Sequence, residues 1–134
     1  MAEPEPAGPV RPVSPGRGAT FAALAVVAGA GLLVVLGGVM AVSAGLLVAA
    51  AAIGWAVAVA LRVGAGATLA EGRRARLAVG LAGFAVVLGQ TGLWLYARSE
   101  GGVLGPLDYL GETFGPLVPL ELAAAAIVAW LAAR

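Results

Sequence analysis

Residues 20–61 read TFAALAVVAGAGLLVVLGGVMAVSAGLLVAAAAIGWAVAVAL, 42 positions without one charged side chain. As a single helix this run would be about 63 Å long at 1.5 Å per residue, roughly twice the thickness of a bilayer's hydrocarbon. It has to fold back on itself. Its weakest helical stretch is Gly37-Gly38-Val39-Met40-Ala41-Val42-Ser43-Ala44-Gly45, where three glycines and a serine loosen the backbone. The reading is two membrane spans, at about 20–38 and 44–62, joined by a tight turn. The apolar run before Val42-Ser43-Ala44 is about twenty residues, too long for a signal-peptide core, so it is read as a span.

Working outward, Val63 to Arg76 is polar and carries Glu71, Arg73, Arg74 and Arg76. Thr68-Leu69-Ala70-Glu71 has the spacing of a capping box, which places the start of the next helix near Leu69. Leu77 to Ala97 is again uncharged, a third span over 77–97, with Trp94 and Tyr96 at its far end in the manner of interfacial aromatics. Leu117 to Ala133 forms a shorter fourth span over 117–133. Between them lies an external loop, 99–116, in which Pro106 suits the first turn of a short helix over 106–114. That helix puts Asp108 and Glu112 on one face and Leu107, Leu110 and Phe114 on another, the pattern of a helix lying at a membrane interface. At the other extreme, residues 1–19 hold five of the eight prolines and little that could be buried, and read as a disordered cytoplasmic tail.

Composition agrees. The chain of 134 residues is 61% apolar and 11% charged, against about 45–50% and about 25% in soluble domains. The fold class expected is an all-α integral membrane protein: a four-transmembrane-helix bundle with a short extracytoplasmic interfacial helix. Every basic residue is an arginine. Arg11, Arg17, Arg62, Arg73, Arg74, Arg76 and Arg134 fall on one side of that topology, and Arg98 alone falls on the other with Glu100, Asp108 and Glu112. The positive-inside rule then puts both termini in the cytoplasm, which requires an even number of spans. Arginine without lysine, in a chain this rich in Ala and Gly, fits a high-GC bacterial genome and a bacterial cytoplasmic membrane.

With no Cys and no His, thiol nucleophiles, Fe–S clusters and a histidine base are excluded, and no cofactor or metal is expected. The chain has no Walker, G-x-S-x-G or H-E-x-x-H motif, so no catalytic residues are assigned and no enzymatic activity is expected. A net charge of +1 argues against nucleic acid as a partner. Three groups of residues remain as candidates. Gln90 and Glu121, with Thr91 beside the first, are the polar side chains inside spans; they would serve either as interhelical hydrogen bonds or along a transport path. Glu121, in the first turn of its span, is within reach of Arg98 for an ion pair. Arg73, Arg74 and Arg76 either fix topology or hold anionic lipid headgroups.

Small residues recur four apart at Ala25/Gly29, Ala50/Gly54/Ala58, Ala85/Gly89 and Ala125/Ala129, which suits close helix packing. The function expected is that of a small non-enzymatic accessory or scaffold subunit. Its partners would be the lipid bilayer and either a second copy of itself or a larger membrane protein. A transporter or channel protomer using Gln90 and Glu121, and a protein that reads anionic lipid, are the alternatives. Reporter fusions at residues 40, 68, 105 and 134 are expected to report outside, inside, outside and inside. A cytoplasmic signal at 105 or an external one at 68 would refute the topology.

Overall fold

The computed structural model describes residues 15–65 and 68–134. The described residues form helices without a strand: α1 (Pro15–Val34), continued by a π-helical turn (Val35–Val39), α2 (Ser43–Ala65), α3 (Glu71–Ser99), α4 (Pro106–Thr113) and α5 (Leu117–Ala133). Three of these, α1 with its π turn, α2 and α3, are long and apolar enough to cross a membrane. A fourth crossing requires α4 and α5, which meet at 90°, to be counted as one bent span. The reason is length: α5 has 17 residues, about 25 Å at 1.5 Å per residue, just under the hydrocarbon thickness.

Several boundaries differ from expectation. Helix α1 begins at Pro15 rather than 20, so the expected tail is helical over its last five positions; residues 1–14 lie outside the described residues. Proline opens a helix without cost because its missing N–H would have no intrahelical partner. Gly18 then anchors this first turn: a Cβ added there would strike the backbone of Gly64 and Ala65. The capping box is not formed. The Thr68 hydroxyl donates back to the Ala65 carbonyl, and α3 starts at Glu71 from an Ala70 N-cap without a side-chain cap. The turn between α1 and α2 is also narrower than the glycines suggested. Gly37 and Gly38 stay in the π turn and pack against Leu93 and Tyr96, while Ala41 takes the left-handed conformation (φ 52°), a strain of about 1 kcal/mol.

Around the bundle axis the order is α1, α2, α5, α3, with α2 and α3 also touching across the middle. Neighbours α1/α2 and α3/α5 run antiparallel, whereas α2/α5 and α1/α3 run parallel. The register follows from the small residues. Gly29 of α1 lies against Ile53 of α2, and Gly89 of α3 against Leu33 of α1. Gly54 of α2 faces the backbone of Ala125 and Ala129 in α5. Ala50, Ala58, Ala125 and Ala129 around that crossing are fully buried, as are Ala78, Ala82 and Ala85 of α3. Large apolar side chains, among them Leu24, Val48, Trp55, Phe84 and Ile127, point outward instead. Small residues dominate the helix contacts, with Leu33, Leu46 and Leu93 as the large side chains fully buried among them, a pattern that suits close backbone approach.

The α2/α5 crossing is one of the two closest backbone approaches, with that of Gly18 to Gly64 between α1 and α2, since a Cβ on Gly54 would collide with the Ala125 carbonyl oxygen. No rotamer can relieve a clash between a Cβ and a backbone atom. Gly54→Ala is therefore expected to cost about 1–3 kcal/mol through overpacking. Gly80→Ala, where the added Cβ meets nothing, should be neutral or stabilising by up to about 1 kcal/mol. Reversible unfolding in detergent checks both. Equal effects at the two sites would refute the close crossing.

Candidate functional site

The site is built where α3 and α5 face each other beneath α4. Gln90 lies nine residues before the end of α3, about 14 Å from it, and Glu121 four residues into α5, about 6 Å from its start. Segment 100–116 fills that difference in height by folding back over the bundle end. Two contacts hold it there. The Trp94 indole N–H donates to the Leu104 carbonyl at 3.1 Å, and Phe114 of α4 packs on the core with Tyr109 edge-on to its ring at 5.8 Å. Helix α4 occupies Pro106–Thr113, in line with the expectation from Pro106, but its apolar face is divided. Leu110 and Phe114 turn inward, whereas Leu107 stays 82% exposed. Asp108 and Glu112 are exposed on the outer side.

Beneath this cover, Gln90 and Glu121 are the buried polar side chains of the described residues, 2% and 0% exposed. The structure brings them together: the Gln90 amide Nε2 donates to Glu121 Oε2 at 2.5 Å. One oxygen of each, Gln90 Oε1 and Glu121 Oε1, has no hydrogen-bond partner. Beside Gln90 is a small cavity of about 90 Å³, lined also by Val86, Leu110, Val118 and Leu122. It is large enough for water, and Gln90, with its unpartnered Oε1, is the buried polar residue in its wall. Thr91, the third polar candidate, is exposed and spends its hydroxyl on the Val87 carbonyl of its own helix at 2.8 Å. It lines the cavity beside Gln90 but makes no hydrogen bond to Gln90 or Glu121.

The ion pair expected between Arg98 and Glu121 is not formed. Arg98 is exposed and stacks on Trp94, 5.5 Å from the ring centroid, while Glu121 points into the bundle at Gln90. Charge explains the difference. The guanidinium stays hydrated at the end of α3, and the amide of Gln90 can enter the interior at far lower desolvation cost.

The arginine cluster is likewise divided. Arg74 turns inward, its Nε donating to the Ala133 carbonyl at 2.8 Å and its NH2 to that of Arg134 at 3.5 Å. Arg62 donates to the Ala132 carbonyl at 3.2 Å. These two guanidiniums serve the last carbonyls of α5, which have no intrahelical donors, and oppose the negative end of its dipole. Arg73 and Arg76 stay exposed. Sequence reasoning missed this role for Arg62 and Arg74. The available signal was the absence of a basic residue in α5's own last turn, which leaves its carbonyls to be served from elsewhere.

The Gln90–Glu121 bond makes each partner costly to remove alone. Gln90→Leu and Glu121→Leu are each expected to destabilise by about 1–3 kcal/mol, because the surviving polar group is buried without its partner. The double variant should recover much of that loss. Unfolding of the four proteins in detergent gives the coupling. Simple additivity would show that the pair does not hold the helices together.

Comparison of the chain with protein-family models, with curated proteins and with solved structures finds no match, so the reading of function rests on this geometry.

Proposed function

We propose that this chain is a small multi-pass protein of a bacterial cytoplasmic membrane, with both termini on the cytoplasmic side. It acts without catalysis, as an accessory or scaffold subunit that packs against a second copy or a larger membrane protein. The observation that carries this reading is the hydrogen bond from Gln90 to Glu121, which joins α3 to α5. The two polar groups that could serve a substrate inside the bundle are turned toward each other and roofed by α4. A transport path needs such groups facing an aqueous route; a scaffold needs them holding helices in register. The division of the arginines supports the same orientation, since Arg62, Arg73, Arg74, Arg76 and Arg134 share one end of the bundle with the start of α1. The outer surfaces of α2 and α3, with Trp55 and Phe84, are apolar and broad enough to receive lipid or another helix.

A second reading, a transporter or channel protomer, is favoured by the unpartnered Gln90 Oε1 and Glu121 Oε1 and by the cavity next to Gln90. The two readings separate in a reconstitution. Vesicles containing pure protein are expected to be as tight to protons and monovalent cations as protein-free vesicles. Photo-crosslinkers at Trp55 and Phe84 should capture a neighbouring helix in intact cells. Ion flux that Glu121→Gln abolishes would overturn the scaffold reading and establish the second.

A further inference from the structure

At the arginine-bearing end, α1 meets α2 at Gly18, Gly64 and Ala65, but α3 does not close the space beside them. This leaves an apolar groove of about 590 Å³, whose walls include Ala19, Ala22 and Ala23 of α1, Leu61 of α2, and Leu77 and Leu81 of α3. The one polar group in its lining is the Thr68 hydroxyl, already committed to the Ala65 carbonyl. The hollow has a sequence cause: α1 presents alanines and Gly18 here, which are too short to meet the leucines of α3.

We propose that this groove seats an acyl chain of an anionic phospholipid, with Arg73 and Arg76 holding its phosphate. Arg73, Leu77 and Leu81 are spaced i, i+4 and i+8, so they form one line along α3. Arg73 therefore stands at the mouth of the groove, about 12 Å along the helix from Leu81. Arg76, one turn on from Arg73, is exposed beside it, and Arg17 adds a further exposed guanidinium at the start of α1. Arg74 is excluded from the headgroup because its guanidinium is spent on the carbonyls of α5. The carboxylate at this end among the described residues, Glu71, is two positions before Arg73 and so lies on nearly the opposite side of α3. Charge and shape thus select a ligand with a negative head and an apolar tail. Both are supplied by one molecule that a membrane holds in abundance. This site requires membrane residence but is independent of whether the protein scaffolds or transports.

Native mass spectrometry of the full chain in mild detergent, titrated separately with phosphatidylglycerol and phosphatidylcholine, tests the assignment. Phosphatidylglycerol is expected to be retained preferentially. Arg73→Gln and Arg76→Gln should each weaken that retention by about fivefold, the equivalent of about 1 kcal/mol per arginine near an anionic lipid. Arg74→Gln should leave retention unchanged relative to the folded fraction. Ala23→Phe, a change at an exposed wall position, should block the tail and reduce retention with every arginine in place. Equal retention of the two lipids would overturn the proposal. So would a loss caused by Arg74→Gln alone, or retention indifferent to Ala23→Phe, which would leave only a general surface attraction.

Discussion

The distance at which α2 and α5 can run side by side governs the rest of this fold. Van der Waals attraction between two apolar helices grows with how closely their backbones approach. Gly54 against Ala125 and Ala129 sets that distance at one crossing, with Ala50 and Ala58 extending it along α2. Bringing α2 onto α5 makes them parallel neighbours, although they are separated in the chain by α3 and α4. Helix α1 is then left to α2 and α3, and Gly18 repeats the same device against Gly64 and Ala65 of α2. Many large side chains are turned outward, while Leu33, Leu46 and Leu93 fill the spaces between the close crossings.

Polar groups are placed by the same packing. Because α5 is short and α3 is long, the far end of the bundle has a step, and α4 folds into it at 90° to α5. The step is what puts Gln90 and Glu121 at one level and under cover. At the opposite end α5 finishes near the start of α3, so its terminal carbonyls come within reach of Arg74 and Arg62. A hydrogen bond within the bundle fixes α3 to α5 near one end, and the Arg74 guanidinium fixes them at the other. The antiparallel pair is pinned at two heights, which resists both sliding and rotation.

Some of this was legible in the residues. The run from Thr20 to Leu61 requires two helices because of its length, and the uncharged stretch 77–97 and the apolar stretch 117–133, charged at Glu121 alone, require two more apolar segments. Pro106 marks the short helix, and Gln90 and Glu121 stand out because any strongly polar group is rare in such a chain. Less legible were the ends of helices. Pro15 to Ala19 joins α1 because Gly18 finds Gly64, a contact 46 positions away in the chain, and Gly37 and Gly38 stay in the π turn because Leu93 and Tyr96 pack against them. Local propensity reads those glycines as breaks; tertiary contact uses them as flat surfaces.

Helical class, the number and place of the apolar segments and the asymmetry of arginine follow from the sequence by itself, because each is a property of a continuous stretch read against fixed dimensions of helix and bilayer. Pairing does not follow from it. Ala and Gly recur four apart on every long helix, so many pairings satisfy the pattern equally, and the choice of α2 with α5 depends on all helices being packed at once. That choice decided which groups met: Gln90 with Glu121 rather than Arg98 with Glu121, and Arg74 with the end of α5 while Arg73 stayed exposed. A side chain's type limits the partners it can accept, but only the packed backbone determines which of them lies within 3 Å.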